Sequence, residues 1–425
     1  MLNLDLPKDV AFVLKKLKDN GFEAYIVGGC VRDILLKKTP TDFDIATSSL
    51  PETTKEIFKG FNLSLDGIVH GTVSVKIEEK WIEITTFRID GKYTDSRRPN
   101  SVNFTKSIAK DLERRDFTIN ACAMNNKKIV DPFNAINDIK QKTIRCIGVP
   151  KDRFEEEALR ILRAIRFMSV LGFHIEASTK KAIFRCKHKL TKLSKERIKP
   201  EFTKTLLGKN ATKSILEFLD IYFVIFPNIN TSPEKNLNIT YNLDALNHLD
   251  NCLLSRLAIF FSETLNCVSK DSYTKIIKKI LDQMNFSKKD ILTTLTIIEY
   301  INVNISSNHI ALKKHLIKIG ESTFKKVLTI KRAKFLANSD ITRLKELEYI
   351  NINLNKLLQN NPCLSIGDLE ITGNDLIEIG IKDGKQIGKI LNELFEKVIN
   401  EQIPNEHKAL LSDVSLSLKA ENLKL

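Results

Sequence analysis

Two aspartates one residue apart, Asp42-Phe43-Asp44, lie just downstream of the segment Ile26-Val27-Gly28-Gly29-Cys30-Val31-Arg32-Asp33. This pairing restricts the fold more than any other part of the chain. Extended backbone places residues i and i+2 on one side, so a strand over Phe43 to Ala46 aims both carboxylates the same way. Adjacent carboxylates repel unless a cation sits between them, and hard oxygen donors suit Mg²⁺. The glycine pair leaves bare backbone where a bulky anion can approach, and Arg32 follows one helical step later. Together these point to a site for a metal ion and a nucleoside triphosphate.

The surrounding pattern is mixed α and β. Val10, Val13, Leu14 and Leu17 recur at helical spacing, and Asn20-Gly21 closes that helix. Ala24 to Val27 reads as a short apolar strand and Val31 to Leu36 as a helix. Gly71 to Ile77 and Lys80 to Phe87 read as strands joined through Glu78-Glu79. Trp81, Glu83 and Thr85 share one face of the second of these strands, so Glu83 is the candidate third acid, with an exposed edge-strand glutamate as the alternative. Lys92 to Pro99, with Arg97-Arg98-Pro99, reads as a polar loop. A helix is expected from Ile108 through Arg115 and a last short strand over Lys128 to Val130. Beyond about residue 145 the spacing is almost wholly helical. Phe154 to Val170, Thr179 to Lys187, Leu253 to Phe261, Ile276 to Met284, Ile291 to Ile301 and Ile387 to Ile399 are the clearest runs. No fixed-period repeat is evident.

At 425 residues the chain is too long for one ordinary core, so two to four domains are expected. Its formal charge of +15 favours a polyanionic partner, and nucleic acid fits better than a membrane because no basic segment carries an apolar, aromatic face. A lysine-rich solvated surface is the other reading. The seven cysteines, Cys30, Cys122, Cys146, Cys186, Cys252, Cys267 and Cys363, form no CxxC pair. That is poor material for a disulfide framework or a zinc site and fits a reducing cytosol. No stretch is apolar for long enough to span a bilayer, and the N-terminus lacks signal-peptide blocks.

Two further motifs bear chemistry. In Arg114-Arg115-Asp116-Phe117-Thr118-Ile119-Asn120-Ala121, an arginine can grip phosphate as a fork while the acid accepts from sugar hydroxyls. A 2′-hydroxyl contact would select ribonucleotides. A charged helix end is the alternative. Between Arg153 and Phe167, Glu157, Arg160, Arg163 and Arg166 step by three along one helical stripe, with Leu159, Leu162 and Ile165 on the other side. Three arginines so placed repel one another without an anion to share, and a carboxylate one turn from an arginine can read a base edge. A salt-bridged helix packed on a core remains the other reading.

Together these segments resemble the class II tRNA nucleotidyltransferase family, the CCA-adding enzymes, whose catalytic region is shared by bacterial poly(A) polymerases. The match runs through Gly28 to Asp33 with Asp42-Phe43-Asp44, Ile84-Thr85-Thr86-Phe87-Arg88, Arg97-Arg98-Pro99, Arg114 to Ala121 and Glu156 to Arg160. It continues in Ile366 to Leu376 and Gly384 to Leu391. The resemblance implies an α+β fold with a polymerase-beta-like nucleotidyltransferase head over residues 1–145, built on a mixed sheet. A helical neck (146–207), body (208–330) and tRNA-binding tail (331–425) would follow. Asp42 and Asp44 would bind Mg²⁺ with Glu83. Gly28, Gly29, Arg32, Arg114, Arg163 and Arg166 would hold the triphosphate, with Asp116 near the ribose. Glu157 and Arg160 would select CTP or ATP, the protein acting as its own template for adding C, C and A to tRNA. Such an enzyme would be cytoplasmic; the oligomeric state is left open, a homodimer included.

Glu157 departs from this pattern, standing where the family has aspartate; its extra methylene shifts the oxygens by about a bond length. No adjacent His-Asp pair occurs, so an appended phosphohydrolase site is not expected. An A-adding enzyme and a poly(A) polymerase are the near alternatives, and a non-catalytic RNA-binding protein the remote one. The stretch Leu65 to Val73 and Ala158 lean toward the CCA type, and the presence of Lys92 to Pro99 argues against a CC-adding form.

Overall fold

A computed structural model describes residues 6–91, 102–229, 243–265 and 270–422. The chain divides into two compact units, Met1–Asn230 and Thr231–Leu425. The expected loop at Lys92 to Pro99 lies outside the described residues.

The first unit begins with α1 (Lys8–Asp19), whose Val10, Val13, Leu14 and Leu17 are all buried. Gly21, at φ +84°, turns the chain into β1 (Ala24–Val27). Then come α2 (Gly29–Leu35), β2 (Asp44–Thr47), α3 (Pro51–Ile57), β3 (Asn62–Ser64), β4 (Thr72–Ile77) and β5 (Lys80–Thr86). A small hairpin, β6 (Arg88–Asp90) and β7 (Val102–Phe104), precedes α4 (Ile108–Glu113). The head of the unit closes with β8 (Ala123–Met124), β9 (Ile129–Val130) and α5 (Ala135–Lys140).

Seven strands form one sheet in the order β3-β4-β5-β2-β1-β8-β9. β2 and β5 run parallel and the other pairs antiparallel, so the sheet is mixed. Its two faces have separate cores. Ile26, Ile45, Val73, Val75, Ile82 and Ile84 pack with Val10, Val13 and Leu17 of α1. Tyr25, Val27, Ala46 and Phe87 pack on the opposite face with Ile108 and Leu112 of α4. Residues of β1 and β2 thus alternate between two apolar layers, which is why these central strands read as unbroken apolar runs. β5 has one open face, and there Trp81 and Glu83 are exposed while Ile82, Ile84 and Thr86 are buried. The order of elements agrees with the expected α+β arrangement. Residues 51–57, 62–64, 88–90, 102–104 and 123–124 supply elements that spacing did not reveal. β2 starts at Asp44 rather than Phe43, leaving Asp42 in the segment before the strand.

The rest of this unit is helical apart from one two-residue parallel strand pair, Thr143–Ile144 with His174–Ile175. α6 (Pro150–Glu156) and α7 (Leu159–Leu171) are followed by α8 (Ala177–Cys186), α9 (Lys195–Leu206), α10 (Ala211–Glu217) and α11 (Leu219–Ile225). The single helix expected over Phe154 to Val170 is corrected here. It breaks at Glu157, which is extended at φ −143°, ψ 100°. Glu157 therefore leaves the stripe that Arg160, Arg163 and Arg166 share on α7. The physical reason is tertiary: its carboxylate is drawn to Arg197 of α9, which outweighs the few tenths of a kcal/mol of helix propensity at stake.

α7 and α9 close on each other near Gly208, where a Cβ would lie 2.7 Å from the Ser169 carbonyl carbon and closer still to its hydroxyl. Ser169 Oγ donates to Thr205 O at 2.6 Å, so the neighbour has no room to yield. The second unit is described entirely as helices and short turns, from Leu253–Thr264 to His407–Asn422. Leu376, Leu394, Leu410 and Val414 centre a core near its C-terminal end. No described helix is long and apolar enough to cross a membrane. Replacing Gly208 by alanine is expected to destabilise the first unit by about 1–3 kcal/mol, measured by urea unfolding.

Candidate active site

The glycine turn brings the acid strand and the arginine motif together. Gly28 has φ +79°, and a side chain there would meet Arg115 Nη1 at 3.2 Å and Asp44 Oδ2 at 3.7 Å. Strand register aligns Val27 with Asp44 and Asp44 with Glu83, so the two acids stand side by side on adjacent parallel strands. Burial raises the Asp44 pKa; Arg115 opposes that and the Asp42 carboxylate adds to it. Asp44, Glu83, Arg114 and Arg115 line a cleft of about 200 Å³.

A carboxylate whose ionisation is hindered by burial and by a neighbouring acid is the chemistry a hard divalent cation relieves. Among the described residues no three His, Cys, Asp or Glu side chains gather closely enough to hold a metal alone.

A larger cavity of about 680 Å³, within the range of small-ligand sites, adjoins this edge. Seven arginines and four carboxylates line it. Arg32 Nη1 donates to Asn120 Oδ1 at 2.8 Å, and Asn120 Nδ2 donates to Asp116 Oδ1 at 3.2 Å. Arg163 Nε donates to Asp116 Oδ2 at 2.7 Å. Burial would raise the Asp116 pKa, but Arg163, Asn120 and the Phe117 amide hold it down to about 2. The guanidinium carbons of Arg166, Arg32 and Arg163 lie 4.3, 5.5 and 5.8 Å from the centre of the Phe167 ring. Three cations around one aromatic ring repel one another, and a polyanion between them lowers that cost. Asp111 is wholly buried. It accepts from Arg114 Nε at 2.9 Å and from Arg115 Nη2 at 3.3 Å, orienting the arginine pair.

At the far end, Glu157 Oε1 accepts from Arg197 Nη2 at 2.6 Å, and its Oε2 lies 3.7 Å from Arg160 Nε. Arg160 is buried and donates to Glu156 Oε2 at 3.0 Å and to the Arg153 carbonyl at 3.1 Å.

A cleft of about 1010 Å³ in the second unit is roomier. Its cations are already engaged. Lys331 donates to the Ile301 and Val303 carbonyls at 2.7 Å each, Lys334 pairs with Glu263 at 3.2 Å, and Arg343 pairs with Asp340 at 3.5 Å. The first unit's cavity is the candidate site because it gathers seven arginines, more than its four lining carboxylates can neutralise, and adjoins the strands that carry Asp44 and Glu83.

The family model for the poly A polymerase head domain matches residues 24–145, that for an RNA and SrmB binding site of polymerase A matches 172–231, and that for tRNA nucleotidyltransferase domain 2 matches 264–414. The CCA-adding enzyme of Lactobacillus delbrueckii subsp. bulgaricus is 35% identical over 400 residues, covering 94% of this chain and 95% of that protein. The chain belongs to the CCA-adding enzyme family. The crystal structure of the Bacillus stearothermophilus CCA-adding enzyme in complex with CTP aligns with a TM-score of 0.78 and 27% identity, over 98% of this chain and 99% of that one. The Thermotoga maritima CCA-adding enzyme complexed with tRNA shares the fold, with a TM-score of 0.61 at 24% identity over 97% and 96% of the two chains. Membership of a nucleotidyltransferase family carries with it a need for a divalent metal.

In this family member Gly28, Gly29, Arg32, Asp44, Arg114, Asp116, Glu157, Arg160, Arg163 and Arg166 all line the one cavity. Glu83 lines the adjoining cleft. Asp42 lines neither, and its closeness to Asp44 shows in the raised pKa of the latter. Sequence reasoning did not single out Arg115, Asn120, Phe167, Arg197 or Glu201. Arg115 and Asn120 stand inside a motif already noted and Phe167 directly follows Arg166, so a signal existed for these three. Arg197 and Glu201 carry only a four-residue spacing common to surface helices.

Folding holds the Asp116 pKa below its ordinary 3.8, so the ionised carboxylate stabilises the native state above about pH 4. Asp116→Asn is expected to cost about 2 kcal/mol there. The gap from wild type should close as pH falls from about 4 towards 2, followed by urea unfolding at a series of pH values.

Proposed function

We propose that this chain adds C, C and A to the 3′ end of tRNA without a nucleic-acid template, drawing on CTP and ATP. The observation that carries the reading is one cavity that brings together Asp44, which it shares with the cleft that Glu83 lines, arginines crowded round Phe167, and the Glu157–Arg160 carboxylate–arginine pair. Membership of the CCA-adding enzyme family and the likeness to a relative in complex with CTP support it.

In this reading Asp42 and Asp44 hold Mg²⁺, with Glu83 the third acid on the neighbouring strand. Bound there, the ion supplies neutralisation of triphosphate charge and activation of the attacking hydroxyl. Gly28 and Gly29 offer backbone to the phosphates, and Arg32, Arg114, Arg163 and Arg166 grip them. Asp116, fixed by Arg163 and Asn120, stands ready to accept from ribose hydroxyls. Glu157 and Arg160 meet the base edge. The division into head (1–145), neck (146–207), body (208–330) and tail (331–425) belongs to the same proposal. The tRNA would lie along the basic helical parts, where shape and phosphate contacts dominate and binding falls steeply with salt. The free cysteines among the described residues support a reducing, cytoplasmic setting.

Incubation with tRNA trimmed of its 3′ end, Mg²⁺ and CTP and ATP, singly or together, tests the reading. Growth by C, C and A followed by arrest is expected. A long A tail means a poly(A) polymerase, and addition of A only to tRNA ending in CC means an A-adding enzyme. Absence of incorporation overturns the catalytic reading altogether. Asp44→Ala is expected to lower transfer more than about a thousandfold, the scale lost when charge stabilisation is removed from phosphoryl transfer, while tRNA affinity in a gel-shift titration stays near wild type.

A further inference from the structure

α9 contributes two ion pairs to residues that line the cavity. Arg197 and Glu201 stand four residues apart, on one side of the helix. Arg197 reaches Glu157 at 2.6 Å, and Glu201 Oε2 lies 2.7 Å from Arg166 Nε. One pair therefore sits beside Arg160 and the other among the arginines around Phe167. Glu201 and Arg166 are nearly enclosed, and Arg197 and Glu157 are each about four-fifths covered.

We propose that Arg197 is a positioning residue that fixes the Glu157 carboxylate and thereby sets discrimination among bases; this rests on the proposed reading of the cavity. Glu157 sits on extended backbone between two helices, so no helical turn fixes its direction. Its side chain has one more rotatable bond than aspartate, and freezing a glutamate costs up to about 1.5–2 kcal/mol. Arg197 anchors Oε1 and leaves Oε2 on the side of Arg160. Cytosine and adenine present an exocyclic amine where uracil and guanine present a carbonyl oxygen. A carboxylate accepts from the amine and repels the carbonyl, but only if it is held in place. A swinging carboxylate retreats from the wrong base, and the penalty disappears. Arg197 thus makes a longer acid usable at a position where direction matters.

The experiment compares kcat/KM for CTP against UTP, and for ATP against GTP, on trimmed tRNA. Arg197→Ala is expected to reduce both ratios by about tenfold or more, the factor that accompanies loss of one well-placed hydrogen-bond partner. Arg197→Lys keeps the charge without the fork and should recover part of the loss. Glu201→Gln removes the companion pair on the same helix. It should raise KM for all nucleotides alike and leave the ratios unchanged. In a Glu157→Ala background, Arg197→Ala should change the ratios no further. Ratios within about twofold of wild type in both Arg197→Ala and Arg197→Lys overturn the proposal, since the loss expected of the alanine variant is at least tenfold. It is equally overturned if Glu201→Gln erodes the ratios as much, because they would then report a loosened helix. If Arg197→Ala fails to fold by circular dichroism, the lysine variant decides, with unchanged ratios counting against the role. A wild-type protein that adds nothing to trimmed tRNA refutes the proposed function instead, a result distinct from all of these.

Discussion

Arginine side chains crowd a single cavity, and the architecture around it keeps them opposite carboxylates. Asp111 braces Arg114 and Arg115, Asp116 takes Arg163, Glu201 takes Arg166, and Glu156 takes Arg160. Each acid comes from a different place in the chain: α4, the turn after it, α9, and the end of α6. Removing water from guanidinium groups without such partners would cost several kcal/mol apiece. The acids orient the cations but leave them in excess along the lining, so the cavity is prepared for an anion carrying several charges. Preorganised charge of this kind needs little rearrangement when the ligand arrives.

The sheet makes that crowding possible. Because β1 and β2 are covered on both faces, they are stiff, and their register sets Asp44 beside Val27 and Glu83 with little freedom. Gly28, at a φ that side chains rarely adopt, leaves room there, since a Cβ would crowd Arg115 Nη1 at 3.2 Å and stand 3.7 Å from Asp44 Oδ2. On the other side, α7 carries Arg163, Arg166 and Phe167 in one turn. The close meeting of α7 with the end of α9 at Gly208 and Ser169 holds the two helices in step. The residues that line the cavity from α7 thereby share a rigid support.

Much of the head was legible because its elements satisfy local and global demands together. The spacing of Val10, Val13, Leu14 and Leu17 marks α1, and the apolar run Ala24 to Val27 marks β1. The alternation of Ile82 and Ile84 with Glu83 and Thr85 marks the open face of β5. The short elements were less visible. α3 begins with Pro51 at its first turn, a start signal that went unread, and it has only seven residues. β8 and β9 have two residues each, too few for alternation to show. The break at Glu157 runs against propensity altogether, since Glu-Glu-Glu-Ala-Leu favours helix.

The chemistry of the site was determined by the sequence itself, in the acid pair after a glycine turn, the doubled arginine before an aspartate, and the arginines at helical intervals. Residue type and short-range spacing carry that information because neighbouring side chains share a face wherever the backbone is regular. Which arginine of the pair stands over Asp44, how Asn120 links Arg32 to Asp116, and how Arg197 draws Glu157 out of its helix were decided only when distant segments packed. The Arg197–Glu157 and Arg32–Asn120 contacts join residues 40 and 88 positions apart. No local period encodes them, because they are set by where the sheet and helices come to rest.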